Sequence, residues 1–250
     1  MPILWLGETR DFPPAERARR DGLLAVGGGL EPRRLLRAYG RGIFPWYEEG
    51  QPILWWSPAP RFVLFPAEFH AGSTLKKVLR RGDFRFRFDH AFGAVVECCA
   101  RPRPGQPGTW ITPDMRAAYL RLHRLGYAHS LEAWIGGDLA GGVYGVVLGN
   151  CFFAESMFHC ANNASKAALA VLAATLHRME FVLIDCQVPT PHLAAWGARS
   201  IPRRRYLELV RQGLRFRTLR GSWAGIELAH VGIPGQSAPG MMRAIVTRNR

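Results

Sequence analysis

NASKAALAVLAATLHRMEFVLIDCQ, residues 163–187, is the stretch of this 250-residue chain that decides its fold. Its first part, Asn163–Met179, opens with Asn-Ala-Ser and then repeats Ala and Leu at helical spacing, which predicts a helix. Its second part, Phe181–Ile184, is a short apolar run that predicts a buried strand leading to Asp185. A helix that leads directly into a buried strand indicates a domain built around a sheet with packed helices.

The segments before this stretch extend the same pattern. Apolar strands are predicted at Ala128–Ile135, Leu139–Leu148 and Cys151–Ala154. A helix with a Thr cap and a Pro in its first turn is predicted from Thr112 to Leu125. Because the strands lie in the middle of the chain with helices around them, the sequence predicts an α+β fold with a mixed sheet.

Composition divides the chain into three parts. Residues 1–60 are rich in Gly, Pro and Trp and contain one short predicted helix, which indicates a small N-terminal domain. Residues 61–219 contain the predicted sheet and form a second, larger domain. Residues 220–250 are Gly, Ser and Pro with few apolar runs, which predicts a poorly ordered tail.

The charge of the chain points to a polyanionic partner. Lys and Arg number 33 against 19 Asp and Glu, a formal net charge of +14, and nearly all of the cations are arginines. The guanidinium fork suits phosphate, so a nucleic acid is the leading partner class, although a preference for Arg over Lys in the genome would explain the Arg/Lys ratio alone. The densest basic patch comprises Lys76, Lys77, Arg80 and Arg81, followed by Arg85 and Arg87. The alternative for this patch is an ordinary solvated helix face.

Cysteines and motifs exclude several classes of protein. The five cysteines include no CxxC pair, so we expect neither a disulfide framework nor a zinc site, and a cytoplasmic location. No apolar run reaches 18 residues and the N-terminal run is short, so no membrane span or signal peptide is predicted. The chain also lacks the Walker A, GxGxxG, HExxH and GxSxG motifs, so no cofactor or metal is expected.

Two buried acidic residues are candidate catalytic groups. Asp185 ends the predicted strand, and alternation places it on the same face as Gln187, about 7 Å away. The alternative is that Asp185 caps the following loop. Glu155 lies at the end of an apolar strand, where an unpaired carboxylate would be unfavourable, so it should meet a structural Arg or the amine of a ligand.

Four tryptophans lie in loop-like contexts, namely Trp46, Trp55, Trp56 and Trp110. Aromatic rings in loops can stack on nucleic-acid bases. Core packing is the commoner role, and we expect it for three of these four.

Nine short motifs, in order along the chain, carry a resemblance. They are Gly42-Ile-Phe-Pro-Trp46, Ile53-Leu-Trp-Trp-Ser-Pro58, Gly108-Thr-Trp-Ile-Thr112, Gly126-Tyr-Ala-His-Ser130, Gly141-Gly-Val-Tyr-Gly145, Glu155-Ser-Met-Phe158, Asn163-Ala-Ser-Lys166, Leu183-Ile-Asp-Cys-Gln187 and Gly197-Ala-Arg-Ser-Ile-Pro-Arg203. Together they resemble the bacterial leucyl/phenylalanyl-tRNA–protein transferase family over residues 3–213. The tail after residue 220 does not resemble the family.

The resemblance implies an activity and a fold. The family moves Leu or Phe, and less readily Met, from tRNA to the α-amino group of proteins that begin with Arg or Lys, which marks them for degradation. It implies a small N-terminal domain followed by a domain similar to the acetyltransferase (GNAT) fold. We further expect a monomer that uses no cofactor.

The resemblance also assigns roles by motif position. Asp185 and Gln187 correspond to the catalytic pair, and Trp46 and Trp110 to the residues around the 3′ adenosine. The aminoacyl pocket corresponds to Val143, Glu155, Met157, Leu172, Leu176 and Ile184, and the tRNA-binding patch to Lys77, Arg80 and Arg81, to which we add Lys76. Leu172 and His159 depart from the family pattern, where an aromatic and a small polar residue are expected.

Chemistry is consistent with this assignment. Aminolysis of an aminoacyl ester runs downhill, so the absence of an ATP motif fits. We expect Asp185 to orient Gln187, whose carbonyl oxygen accepts a hydrogen bond from the attacking amine, with the proton leaving through this pair or the ribose hydroxyl. The alternatives are an acetyl-CoA-dependent N-acetyltransferase, which lacks its pyrophosphate loop here, and a non-catalytic RNA-binding protein, which leaves the buried acids unexplained.

Overall fold

The computed structural model describes residues 3–7, 11–102 and 109–229. The strands are β1 (Leu4–Leu6), β2 (Leu23–Gly27), β3 (Phe44–Pro45), β4 (Leu54–Trp56), β5 (Arg61–Leu64), β6 (Arg85–Phe88), β7 (Ala128–Ile135), β8 (Asp138–Leu148), β9 (Cys151–His159), β10 (Leu183–Gln187) and β11 (Arg199–Ile201). The α-helices are α1 (Pro32–Gly40), α2 (Ser73–Arg81), α3 (Phe92–Ala100), α4 (Pro113–Arg124), α5 (Ala164–Arg178), α6 (Pro191–Ala194) and α7 (Arg203–Gly213).

A small sheet forms the N-terminal part, in the order β1-β2-β4-β3. β1 runs parallel to β2, and the other neighbours are antiparallel. Trp55 fills its centre: the side chain is fully buried, its indole N–H donates to the carbonyl of Gly27 at 2.9 Å, and Phe12 packs edge-on at 4.7 Å. The Gly- and Trp-rich segment is therefore ordered around one tryptophan.

The second sheet is larger and mixed, in the order β11-β5-β10-β9-β8-β7-β6. β9 and β10 are parallel, and α5 connects them, whereas the other neighbours are antiparallel. This arrangement confirms the prediction of an α+β fold with a small N-terminal part and a mixed sheet. A parallel pair needs a crossover of this kind, which is why the 163–187 stretch contains both a helix and a strand.

The two faces of the large sheet belong to different hydrophobic clusters. Phe152 and Phe153, adjacent on β9, point to opposite faces, as strand alternation requires. Phe153 joins α1, α4, α7 and the N-terminal sheet, while Phe152 joins α5. The chain passes from the small sheet to the large sheet between the end of β4 and the start of β5 at Arg61. The hydrophobic cluster that contains Phe153 includes residues of both sheets. The division into domains at that point stays a prediction.

Two strands differ from the sequence-based bounds. The strand predicted at Cys151–Ala154 continues to His159, because β8 lies beside its whole length and offers hydrogen bonds throughout. The strand predicted at Phe181–Ile184 lies at Leu183–Gln187, so that Asp185 is inside it rather than after it.

Part of the predicted tail, around Trp223 and Ala229, contacts the large sheet and α5. Trp223 is 1% exposed, its ring stacks on His129 at 4.1 Å, and its backbone N–H donates to Asp89. Ala229 N–H donates to the hydroxyl of Thr175 on α5 at 3.0 Å. The rest of the tail, residues 230–250, lies outside the described residues. No helix in the described part of the chain is long and apolar enough to cross a membrane.

Candidate active site

A cavity of about 210 Å³ opens where the N-terminal sheet meets β9 and β10. It is lined by Phe44, Pro45, Trp46, Trp110, Val143, Ala154, Glu155, Ser156, Met157, Leu169, Ile184, Cys186, Gln187, Val188, Thr190 and Leu193. An engineered apolar cavity of roughly 150 Å³ holds a benzene molecule, so this space can accept one amino-acid side chain. It therefore brings together Trp46, Trp110, Val143, Glu155, Met157, Ile184 and Gln187 of the predicted site.

β-Bulges aim the two polar groups of the cavity. On β9 the register passes from Ala154 to Ser156 against consecutive residues of β8, so Glu155 is the extra residue. On β10 the register shifts between Asp185 and Gln187, and Gln187 has a φ of +63°. The simple alternation that placed Asp185 and Gln187 on one face is therefore interrupted. Bulges re-aim side chains next to active sites, and here they bring an amide and a carboxyl together.

Asp185 is fully buried and does not line the cavity. Its carboxylate accepts two hydrogen bonds from the guanidinium of Arg61, at 2.8 and 2.7 Å, and one from the hydroxyl of Tyr206 at 2.7 Å. Burial would lower the pKa of Arg61, but the charge and hydrogen bonds of Asp185, together with Tyr206 and Glu155, raise it. Asp185 is therefore held in a buried ion pair with Arg61.

Arg61 is itself enclosed on all sides. Its guanidinium lies 4.6 Å from the ring centres of both Phe44 and Tyr206, and it donates to the carbonyl oxygen of Gly42 at 3.3 Å. It therefore ties the N-terminal segment, β5, β10 and α7 to one buried charge pair.

Glu155 is buried too, but its partners are neutral. The hydroxyl of Tyr119 donates to its Oε2 atom, and the side-chain amide of Gln187 donates to its Oε1 atom at 3.1 Å. Tyr39 donates in turn to the oxygen of Tyr119 at 3.0 Å. Of the two partners expected for Glu155, no structural Arg bonds to it within the described residues, because Arg61 is paired with Asp185, and the amine of a ligand stays a prediction. Burial raises the pKa of Glu155 to about 7, although the two tyrosines oppose this rise.

Gln187 is held at both ends. Its backbone N–H donates to Oδ1 of Asp185 at 2.9 Å, and its side-chain nitrogen is fixed by Glu155. The side-chain carbonyl oxygen then remains to accept a hydrogen bond from a bound amine. Asp185 thus acts on Gln187 through its backbone, and Glu155 through its side chain.

Three of the four tryptophans contribute to the core, as expected. Trp55 is fully buried, and Trp56 and Trp110 are half-buried and pack against the same core cluster, whereas Trp46 is 43% exposed. Trp56 holds Trp46 in place, because its indole N–H donates to the carbonyl oxygen of Trp46 at 2.7 Å.

Helix α5 contributes Leu169 to the cavity, a residue that our site prediction omitted. Leu172 and Leu176, which it included, are fully buried behind the cavity and do not line it. They pack in the same cluster as Val143 and Ile184, which do. The side chains of Leu172 and Leu176 therefore pack with residues that form the cavity wall.

The basic patch lies on α2. Lys76, Lys77, Arg80 and Arg81 are all exposed, whereas Leu75 of the same helix is buried against α5. The four cations thus occupy the solvent face of α2, and the other face of this helix packs against α5.

The thiol of Cys186 is not a nucleophile in this cavity. Cys186 lines the cavity, but burial and the charge of Asp185 raise the pKa of its thiol, so it is protonated and a poor nucleophile.

A cluster of one acid and two histidines lies away from the cavity. Asp89, His123 and His129 have ligand-type atoms within 4.8 Å of one another. Nδ1 of His129 is 2.8 Å from Asp89, and Nδ1 of His123 is 2.8 Å from the carbonyl oxygen of Ala128. The Nδ1 atoms of both histidines are therefore engaged in hydrogen bonds.

Sequence reasoning missed Arg61, Tyr119 and Tyr206. Each is remote along the chain from the carboxylate that it binds: Arg61 lies 124 positions from Asp185, and Tyr119 lies 36 from Glu155. Arg61 did carry one signal, since it is a charged residue directly before the apolar run Phe62–Phe65.

Comparison with known proteins shows which family this chain resembles. The family model described as leucyl/phenylalanyl-tRNA protein transferase matches residues 63–211, and that of the N-terminal domain of the same family matches residues 28–59. A leucyl/phenylalanyl-tRNA–protein transferase of Syntrophus aciditrophicus is 56% identical over 225 residues, which cover 90% of this chain and 94% of that protein.

Two more relatives carry the same name. That of Desulfatibacillum aliphaticivorans is 56% identical and covers 90% of this chain and 97% of its own length. That of Myxococcus xanthus is 54% identical, with 89% and 97% covered. The chain therefore belongs to the leucyl/phenylalanyl-tRNA–protein transferase family and is an enzyme that transfers an aminoacyl group from tRNA to proteins.

Proposed function

We propose that this enzyme transfers Leu or Phe, and less readily Met, to the α-amino group of proteins that begin with Arg or Lys, and so marks them for degradation. We further propose that it acts as a monomer in the cytoplasm, without a cofactor. The observation that carries the proposal is the amide of Gln187, which is fixed by Glu155 and Asp185 at the wall of an apolar cavity.

The apolar wall accounts for the choice of donor. Val143, Met157 and Ile184 line the cavity, and Leu172 and Leu176 lie behind it. Burial of an aliphatic or aromatic side chain is worth about 25 cal/mol per Å² of apolar surface, which favours Leu, Phe and Met over polar residues. Such a wall discriminates weakly between apolar side chains of similar size.

Trp46 and Trp110 line the same cavity. We assign them to the 3′ adenosine of the tRNA, because partly exposed aromatic rings offer stacking surfaces for a base. The solvent face of α2, with Lys76, Lys77, Arg80 and Arg81, is assigned to the phosphates of the tRNA acceptor stem.

The reaction forms one bond and breaks one. The nitrogen of the acceptor amine attacks the ester carbonyl carbon, the bond from that carbon to the ribose oxygen breaks, and one proton passes from the amine to the leaving oxygen. The carbonyl oxygen of Gln187 aligns the amine. Asp185 is closed off by Arg61 and Tyr206, so we assign it to positioning Gln187 rather than to carrying the proton.

Glu155 is the better candidate for exchanging the proton. Its pKa is about 7, and the α-amino group of a protein has a pKa of roughly 7.7–8.0, so the two groups exchange protons near neutral pH.

The test of the catalytic assignment uses labelled Leu-tRNA and a peptide that begins with Arg. We expect the wild-type protein to label the peptide, and Gln187→Ala to lower kcat about 100-fold through misalignment of the amine. Asp185→Asn should lower it as well. Gln212→Ala, on the exposed face of α7, is the matched control. Near-normal rates in both site variants would refute the assigned roles.

The test of the tRNA patch is the salt dependence of KM. Arg80→Ala with Arg81→Ala should raise KM for Leu-tRNA and flatten its dependence on salt, because fewer counterions are released on binding. The control is Arg204→Ala with Arg205→Ala on α7. An unchanged salt slope in the α2 variant would remove the patch from the binding site.

A further inference from the structure

A second cavity, of about 430 Å³, lies at the start of α5. It is lined by Met157, His159, Asn162, Asn163, Ser165, Lys166 and His192. Met157 also lines the aminoacyl cavity, so the two spaces are neighbours on either side of one side chain. The proposed function does not use this second cavity.

The second cavity is basic. Its lining contains Lys166, two histidines and no carboxylate. Lys166 and His159 lie close to His192, since burial and then these two residues lower the pKa of His192. A basic acceptor residue would be repelled here, whereas an anion would be attracted.

The first turn of α5 adds hydrogen-bond donors. This helix has 15 residues, and no side chain caps its N-terminus. Ser165 is 4% exposed and lines the cavity, and its hydroxyl makes no hydrogen bond within the described residues. A hydroxyl that opens into a cavity beside a helix N-terminus and a lysine can donate to a ligand with acceptor oxygens.

The position of the cavity indicates which anion it receives. Ala167 and Ala170 of α5 pack against Ala71 and Leu75, so the start of α5 adjoins the basic helix α2. The second cavity thus shares Met157 with the aminoacyl cavity, and the helix at which it lies, α5, packs against the basic helix α2. The three lysines of the chain, Lys76, Lys77 and Lys166, all lie on these two helices.

We propose that the second cavity binds a backbone phosphate of the single-stranded 3′ end of the tRNA, as that strand passes from α2 to the aminoacyl cavity. Lys166 supplies the charge, and the hydroxyl of Ser165 and the first amides of α5 supply hydrogen bonds. This inference rests on the proposed function, since the donor must be an aminoacyl-tRNA.

The experiment compares three donors that differ in phosphate content: Leu-tRNA, 3′-O-leucyl-adenosine, and the 5′-phosphate of that adenosine. Lys166→Ala should raise KM about tenfold for the two donors that carry phosphate, as expected for the loss of one charge-assisted hydrogen bond, and leave KM for leucyl-adenosine unchanged. Lys166→Arg should restore most of the loss. Arg204→Ala, which removes one exposed charge on α7, should change none of the three values.

The outcomes separate this site from the proposed function. An equal rise of KM for both adenosine donors would overturn the phosphate site, because the loss would not depend on phosphate. If the wild-type protein transferred Leu from none of the three donors, the proposed function would fail instead. Equilibrium binding of uncharged tRNA would then decide on the cavity: weaker binding by Lys166→Ala than by Arg204→Ala supports it, and equal binding overturns it.

Discussion

Asp185 and Glu155 are buried carboxyl groups on the neighbouring strands β10 and β9, yet their surroundings are opposite. Asp185 accepts hydrogen bonds from a guanidinium, a tyrosine and a backbone amide, and its charge is balanced. Glu155 has a tyrosine and a glutamine amide but no cation, and its pKa rises to about 7. The site therefore combines a fixed ion pair, Arg61–Asp185, with a carboxyl group, Glu155, that exchanges its proton near neutral pH. Gln187 is hydrogen-bonded to both carboxyl groups.

The largest expected effect comes from removing the cation of the fixed pair. Arg61→Met leaves Asp185 buried without its partner, which should lower the free energy of unfolding by about 3–5 kcal/mol. Urea unfolding followed by circular dichroism measures this change.

The double variant Arg61→Met with Asp185→Leu is the control, because it removes both charges. It should regain most of the lost stability, since the buried unpaired charge is gone. If the double variant were no more stable than Arg61→Met, the loss would come from packing around Arg61 rather than from its charge.

The next effect depends on pH and on Glu155. The folded-state pKa of about 7 lies above the ordinary value of 4.5, so the folded protein binds more protons than the unfolded chain between these values. Stability from this group is therefore complete below pH 4.5 and is lost as pH rises to about 7, by on the order of 3 kcal/mol. Glu155→Gln should abolish that part of the slope in unfolding experiments from pH 4.5 to 7.5. A slope equal to that of the wild type would show that Glu155 is not the group that titrates.

A smaller effect distinguishes the two tyrosines. Tyr119 stabilises the ionised form of Glu155, so Tyr119→Phe should move the midpoint of the pH–kcat profile upward by about one pH unit. Tyr206→Phe removes a comparable donor from Asp185, whose other donors remain, and should leave the midpoint in place. Equal shifts in both variants would erase the proposed difference between the two carboxyl groups.

The smallest effect is expected at an exposed counterpart of the fixed pair. Arg199 and Glu68 form an ion pair in which both side chains are about half exposed. Arg199→Ala should lower the free energy of unfolding by less than about 1 kcal/mol, because water and salt screen such pairs. A loss as large as that of Arg61→Met would mean that burial does not set the strength of these pairs.

Local sequence signals predicted much of the fold. Thr112 caps α4 as its position indicated, with its hydroxyl accepting from the N–H of Met115. The helix and strand of residues 163–187 occur, with shifted ends. These features depend on neighbours along the chain, which is the information that residue spacing contains.

The rest depended on contacts between distant segments. The bulges at Glu155 and before Gln187 follow from how β8 and β5 pair with their neighbours, which spacing within one strand does not encode. The sequence also gave no sign that Arg61 would pair with Asp185 rather than with Glu155. The burial of Trp223 was not predicted, because this residue stands alone in a Gly- and Ser-rich segment without a periodic apolar pattern that would indicate a buried residue.

The guanidinium of Arg61 has a consequence for the order in which the enzyme matures on the ribosome. Its contacts reach from Gly42 through Asp185 to Tyr206, and Tyr206 is synthesised last of the three. A nascent chain that has not yet released α7 from the exit tunnel lacks one wall of this enclosure. Asp185, which holds the backbone of Gln187, is therefore fully enclosed only after α7 has left the tunnel.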